Sequence, residues 1–261
     1  MLFKSKLTKE VRLNFRDQLR DARVKAQKDA EDFEEIVFVL ERLGTILSEA
    51  LVGLGKKAPS IFSVASDSPL FSEIPDSWRE LHTPFAKLYD LVRQARNDAM
   101  HEGAAARYAT GHAIEVSLVL ENALMNGYDK VSDFMVRNPI CAAMWQPLSF
   151  IRQTMLVNSF SWLPVNAGTD AEPVWRLVSD NAVAQYLRLR SNGVPLKDLL
   201  VQSLEKAMKE DVIKLKLIPA RTCRATNAVK TVLVNWDGQP VLVTGPETEE
   251  LLGILTPHDL L

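Results

Sequence analysis

Cysteine, histidine and glycine are scarce in this 261-residue chain, which holds two, four and eleven of them. Cys141 and Cys223 have no metal-ligand spacing and read as buried thiols in a reducing compartment, not as a zinc site or a disulfide framework. No glycine-rich phosphate loop, no Ser/His/Asp constellation and no metal cluster is visible, so phosphoryl-transfer kinases and metallohydrolases fit poorly. Long apolar runs are missing too. The stretch Ile114 to Leu120 is interrupted by Glu115 and falls far short of the ~20 residues a membrane span needs. The opening residues, Met1 to Lys6, lead into a charged helix and not an apolar h-region, so the expectation is a cytoplasmic protein without a signal peptide. Basic excess is also lacking. With 31 Lys+Arg against 33 Asp+Glu and a net charge of −2, the chain does not coat nucleic acid through a broad basic surface, although a local basic groove remains open.

What is present divides into two textures. From Leu7 to about Leu54 the residues are strong helix formers with almost no Pro or Gly. Thr8 lacks a partner for a capping box, which predicts a soft start. Arg12, Arg16, Arg20 and Arg23, set against Asp17 and Asp21, read as a charge-laced solvated face. Beyond Asp29, Phe33, Ile36, Val37, Leu40, Leu43, Ile46, Leu47 and Leu51 keep an amphipathic helical rhythm. Residues 56–76, with Pro59, Pro69, Pro75 and many serines, read as a long connecting loop. A second block begins near Thr83-Pro84 with Phe85, Leu88, Leu91, Val92 and Ala95 on its apolar stripe, and a third runs from Ala104 to Met125, closed by Asn126-Gly127. Residues 1–126 are therefore expected to form an all-helical bundle. After Tyr128, short strand-like runs alternate with helical ones, and the order recurs after a helical connector at Leu196 to Lys209. The repeats, about 128–190 and 196–261, predict a pseudo-symmetric α/β pair over 128–261.

One stretch combines groups suited to phosphate chemistry. In Arg96-Asn97-Asp98-Ala99-Met100-His101, Asn97 and His101 stand four residues apart on one helical face, and Arg96 is long enough to lean over the same groove. A guanidinium clamps phosphate with a planar fork of donors, and an imidazole moves a proton near neutral pH. The plainer alternatives are a helix-end histidine interacting with the dipole, and an Arg96 ion pair with Asp90 or Asp98. His82, His112 and His258 have no partners at useful spacing and read as structural or surface. Trp145, Trp162, Trp175 and Trp236 read as core or interface.

This N-terminal half resembles a HEPN domain, a helical-bundle family that includes metal-independent ribonucleases. The resemblance rests on the Arg, the polar residue directly after it and the His within six positions. Arg107 to His112 repeats the bare spacing, which arises by chance at roughly a quarter of an occurrence, but it lacks the polar follower. Requiring Asn after Arg lowers chance to the order of one per cent. The resemblance implies catalysis by Arg96, Asn97 and His101, with Glu102 as an auxiliary, on an RNA substrate at a composite homodimer site without metal. It also implies a role in stress response or defence against phage.

The C-terminal half resembles a tandem pair of CBS domains, a Bateman module. The carrying residues are Val131-Ser132-Asp133-Phe134-Met135, Phe160-Ser161-Trp162-Leu163-Pro164-Val165 and Gly253-Ile254-Leu255-Thr256-Pro257-His258-Asp259. The resemblance implies an adenine-containing ligand (ATP, AMP or S-adenosylmethionine) with Thr256 at phosphate and Asp259 at ribose. In the first repeat Ser179 is kept and Ala182 replaces the Asp. The fold class expected is thus α + α/β: a helical HEPN-like bundle followed by a tandem CBS α/β module. The functional expectation is a ligand-regulated endoribonuclease, with a non-catalytic RNA- or protein-binding regulator as the alternative.

Overall fold

The computed structural model describes residues 7–48, 53–99, 106–169, 171–190, 193–210, 213–247 and 249–261, with the side chains at 31, 97–99, 106–107 and 189–190 left outside the description. The chain divides into two compact units, Met1–Tyr128 and Asp129–Leu261.

Every regular element described in the first unit is helical. The first helix, α1 (Lys9–Lys28), is capped by Thr8, whose Oγ1 accepts from the Val11 N–H at 3.4 Å. Its start is thus a single side-chain N-cap and needs no reciprocal capping box. Asp29 turns extended and a 3-10 turn, Ala30–Asp32, leads into α2 (Phe33–Ser48). The unbroken run expected from the sequence is an antiparallel hairpin, in which Lys25 meets Glu35 and Arg42 donates to Gln18. The stretch read as a loop begins with a helix, α3 (Leu54–Ala65), that contains Pro59. Burial of Leu54, Ile61, Val64 and Ala65 outweighs the one backbone donor that proline removes. A short α4 (Glu73–Ser77) follows, then α5 (Phe85–Ala99) and α6 (Ala106–Met125). Phe62, Phe71, Phe85 and Tyr89 pack edge-to-face or tilted, with neighbouring ring centroids between 5.3 and 6.1 Å. Gly127, at φ +86°, turns the chain after α6.

The arginine face of α1 is not the solvated surface its spacing suggests. Arg16 and Arg23 are both buried. Arg23 forks onto Glu121 of α6 at 2.9 and 3.0 Å, and the Ser117 hydroxyl donates to the same carboxylate at 2.9 Å. A counter-charge from α6 makes burial of Arg23 tolerable, and nothing local to α1 reports it.

The second unit comprises α7 (Val131–Phe134), β1 (Val136–Arg137), β2 (Ala142–Ala143), α8 (Leu148–Asn158), β3 (Trp162–Asn166), β4 (Trp175–Ser179) and α9 (Asp180–Arg190), then α10 (Leu196–Leu200). The order recurs as α11 (Leu204–Lys209), β5 (Ile218–Pro219), β6 (Arg221–Arg224), α12 (Val229–Leu233), β7 (Val241–Thr244), β8 (Leu251–Leu255) and a 3-10 turn, Pro257–Leu260. The sheets run β2-β3-β4-β5 and β1-β8-β7-β6. Each repeat's first short strand thus completes the other repeat's sheet: β5 lies antiparallel on β4, and β1 antiparallel on β8. Two isolated bridges, Lys130 with Ala228 and Pro147 with Ser203, tie the repeats together in the same reciprocal way. Leu177, Leu242 and Ile254 form a shared apolar cluster, with Trp162 and Trp175 packed against it.

Two sequence expectations fail in this unit. Cys141 is exposed, because β2 starts only at Ala142 and leaves the cysteine in the connection before it. Its Sγ donates to the Pro139 carbonyl at 3.3 Å, and partial shelter of the sulfur raises the thiol's pKa by desolvation. Trp145 is 74 % exposed and belongs to no core.

Candidate functional site

Two separate places answer to the candidate residues, one in each unit. In the first, α5 buries Phe85, Leu88, Tyr89 and Val92. Arg96, four residues beyond Val92, is half-exposed, and its Nη2 lies 2.7 Å from Glu41 Oε1 on α2. This differs from the plainer alternative of a local pair: Asp90 is taken by Arg93 at 3.1 and 3.2 Å, and the Asp98 side chain lies outside the described residues. Glu41 also accepts at its backbone oxygen from the Lys57 ammonium, 3.0 Å away on α3. Lys57 is itself buried. A guanidinium and an ammonium therefore meet at one residue of α2, where three helices converge. His101 and Glu102 lie outside the described residues, as does the side chain of Asn97, so of the four only Arg96 has a described environment.

Glu41 and Lys57 were not found by sequence reasoning. Their one trace is Gly44, set inside the apolar α2. A Cβ there would meet the Lys57 side chain at 2.7 Å, so glycine marks the close approach of α3 that brings Lys57 in. At the competing motif, both His112 ring nitrogens are buried without a hydrogen-bond partner among the described residues, and Tyr108 packs edge-on at 4.5 Å.

In the second unit the Thr256 and Asp259 side chains touch. Asp259 Oδ2 accepts from the Thr256 N–H and from its Oγ1, both at 2.8 Å, and Asp259 is buried. Thr256 follows β8 and caps the 3-10 turn that carries Asp259. Ser179, which ends β4 in the other sheet, caps α9 by accepting from the Ala182 N–H at 3.0 Å. The two positions are thus equivalent strand-end caps. Only the second adds a carboxylate, which orders the Thr256 hydroxyl.

A cleft of about 500 Å³ opens elsewhere in the same unit, lined among others by Asn138, Cys141, Asn166, Trp175, Glu250 and Leu251. Trp175 and Leu251 are the first residues of β4 and β8. The cleft therefore sits at the ends of these strands opposite to Ser179 and Thr256, about 13–16 Å away at ordinary strand rise. No group of three or more His, Cys, Asp or Glu residues able to hold a metal is found among the described residues.

No family model and no curated protein matches the sequence. Among solved structures the chain is similar to CBSX2 in complex with AMP, at 15 % identity over 51 % of this chain and 93 % of that one, with a TM-score of 0.37. It is likewise similar to the CBS domain protein PAE2072 from Pyrobaculum aerophilum complexed with AMP, at 16 % identity over 50 % of this chain and 89 % of that one, TM-score 0.38. A CBS domain-containing protein from Bacillus anthracis gives 16 % identity over 50 % of this chain and 88 % of that one, TM-score 0.38. CBS-domain structures thus match about half of this chain.

Proposed function

We propose that this protein is a metal-independent endoribonuclease, acting as a homodimer, whose C-terminal unit senses an adenine nucleotide. The observation that carries the catalytic half is Arg96, a half-exposed guanidinium that meets the buried Lys57 at Glu41. An arginine so held is preoriented to accept a phosphate in place of the carboxylate. In the reaction the RNA 2′-oxygen attacks the adjacent phosphorus as its proton passes to a base. The 5′-oxygen leaves with a proton from an acid, giving a 2′,3′-cyclic phosphate and a free 5′-hydroxyl. His101 is the proton-transfer group, Arg96 meets the charge that builds on the phosphorane, Asn97 orients either partner, and Glu102 is auxiliary. One protomer supplies one such imidazole, and a two-fold dimer supplies the pair.

The sensing half is supported by the reciprocal exchange of strands between the repeats and by the Thr256–Asp259 contact. The Thr256 hydroxyl would face phosphate and Asp259 the ribose, with Ser179 at the weaker equivalent place. A ligand that prefers one dimer arrangement shifts the population toward it. One observation favours the non-catalytic regulator instead. Glu41 already neutralises Arg96 in the protomer, which a phosphate must overcome.

The deciding experiment incubates purified dimer with labelled RNA in EDTA, beside Arg96→Ala and His101→Ala. Chelator-resistant cleavage lost in both variants supports the enzyme. Cleavage that survives His101→Ala, or none with any adenine nucleotide present, leaves the regulator. Calorimetry with AMP, ATP and S-adenosylmethionine should show binding lost in Asp259→Ala.

A further inference from the structure

The packing of α3 on α2 buries a cation without a carboxylate of its own. Lys57 is 3 % exposed. Its stem lies flat on α2 over Gly44, where a Cβ would meet three of its carbons at 2.7 to 3.0 Å. From there the side chain reaches back one turn along α2, and the ammonium ends on the Glu41 carbonyl oxygen at 3.0 Å. That oxygen is already in use. The Thr45 hydroxyl donates to it at 2.8 Å, and as part of α2 it also carries a helical bond. A carbonyl has two lone pairs, so the ammonium takes a crowded third place. Among the described residues Lys57 forms no ion pair. A buried ammonium held by a shared carbonyl alone is poorly compensated for the water it has lost.

Two cations, Lys57 and Arg96, thus meet at Glu41, which supplies one carboxylate. In the protomer that carboxylate sits on Arg96 at 2.7 Å, while Arg93 has its own partner in Asp90. A phosphate on Arg96 brings the second negative charge. The Glu41 carboxylate it displaces has a cation within reach, because the Lys57 ammonium already touches the backbone of the same residue. The exchange turns one paired and one unpaired cation into two paired ones. It also moves the carboxylate from a half-exposed cation to a buried one, where attraction is stronger.

We infer that Lys57 is a positioning residue for phosphate at Arg96: it receives the Glu41 carboxylate that an incoming phosphodiester displaces. This rests on the RNA reading of Arg96 for the identity of the phosphate, whereas the exchange is a property of three side chains. Lys57 does not touch the phosphate and acts only through Glu41. Gly44 belongs to the same device, since a side chain there would lift the lysine off α2.

Two measurements test the exchange, and the first needs no RNA. Arg96→Ala releases Glu41, whose carboxylate should move onto Lys57. The Lys57 ammonium protons, followed by proton–nitrogen NMR, should then exchange with water about threefold more slowly than in the unsubstituted protein. Adding Glu41→Gln to Arg96→Ala should abolish the slowing. Unchanged exchange in Arg96→Ala would overturn the assignment. The second measurement titrates a short 2′-O-methyl RNA, which cannot be cleaved by 2′-oxygen attack, in fluorescence anisotropy. Lys57→Met should weaken binding about tenfold, yet have no effect when added to Glu41→Gln, since no carboxylate is then left to move. Equal weakening with and without Glu41→Gln would show a packing role alone and overturn the assignment. Slowed ammonium exchange in Arg96→Ala with no RNA binding by any of the proteins would uphold the carboxylate exchange and overturn the RNA reading of Arg96 instead.

Discussion

Arg96 of α5 is held by Glu41 of α2 across 2.7 Å, and Glu41 in turn receives the Lys57 ammonium on its backbone carbonyl. The carboxylate occupies the place a phosphate would take on the guanidinium, so it competes with any RNA at that position. Removing its charge should therefore raise RNA affinity. We expect Glu41→Gln to tighten RNA binding about three- to tenfold at low salt in fluorescence anisotropy, with a steeper salt dependence. The gain should vanish in Glu41→Gln/Arg96→Ala. Because the pair is part-exposed, stability should change by about 1 kcal/mol or less. Unchanged binding would mean that Arg96 does not face RNA.

The buried pair between Arg23 and Glu121 behaves oppositely. Its side chains are 9 % and 10 % exposed, and the Ser117 hydroxyl adds to the same carboxylate. Glu121→Ala leaves a guanidinium buried without its counter-charge, which should cost about 3–5 kcal/mol in urea denaturation. Arg23→Met/Glu121→Leu removes both charges and should cost clearly less than the single change. A double variant as unstable as Glu121→Ala would show that packing, not charge, sets the loss.

These two pairs also mark how far the sequence could be read. Helical periodicity located α2, α5 and α6, because one face of each packs on a common core and the spacing of Leu, Val and Phe records that face directly. The partner of a charge is not recorded in spacing. Arg23 and Glu121 are 98 positions apart, and their neighbourhood exists only once α1 and α6 have packed. Local spacing accordingly put Arg23 in water and, in the plainer alternative, paired Arg96 with Asp90 or Asp98, whereas tertiary packing brings Arg23 to Glu121 and Arg96 to Glu41. Pro59 misled in the same way, since a helix whose apolar side is fully covered tolerates one missing donor. In the second unit Thr256 and Asp259 were named through the CBS resemblance, and the hydrogen bond between their side chains, three residues apart, was not part of that reading. The cleft at Trp175 was not legible, because it joins the β1–β2 connection to the starts of β4 and β8 from different repeats.

Tyr89 gives the first unit a defined alkaline limit. The side chain is buried and its hydroxyl donates to the Leu54 carbonyl at 2.9 Å. Burial pushes its pKa well above the ordinary phenol value; Arg93 opposes the shift, while the Glu41 and Asp90 carboxylates reinforce it. A group with a raised folded pKa contributes stability that is fully present below its unfolded pKa, about 10, and is lost as pH rises toward the folded value. Thermal stability should accordingly fall steeply above about pH 10. Tyr89→Phe should cost about 1 kcal/mol at pH 7 through the lost hydrogen bond and flatten the alkaline fall. An alkaline limb of unchanged slope in Tyr89→Phe would place its origin in another group.

Gly253 and Gly111 should respond in opposite directions to alanine. Gly253 of β8 faces Arg137 of β1, the strand exchanged from the first repeat. A Cβ there would meet Met135 Sδ at 2.7 Å and the Val136 carbonyl oxygen at 2.8 Å. The methionine can shift but the carbonyl belongs to the strand backbone, so the exchanged edge must move away from β8. Gly253→Ala should cost about 1–3 kcal/mol and expose the β1–β8 amides to hydrogen exchange. Gly111 lies exposed within α6, where a Cβ meets nothing within 4 Å. Alanine there removes backbone freedom from the unfolded chain and should stabilise by about 0.4–1 kcal/mol. Because the two substitutions fall in different compact units, each effect should persist unchanged in the double variant when each unit's unfolding is followed separately. Faster exchange at β1 and β8 in Gly253→Ala, with α6 unchanged, would identify strand exchange as the source of the loss. A uniform increase across the second unit would instead assign the cost to its whole core.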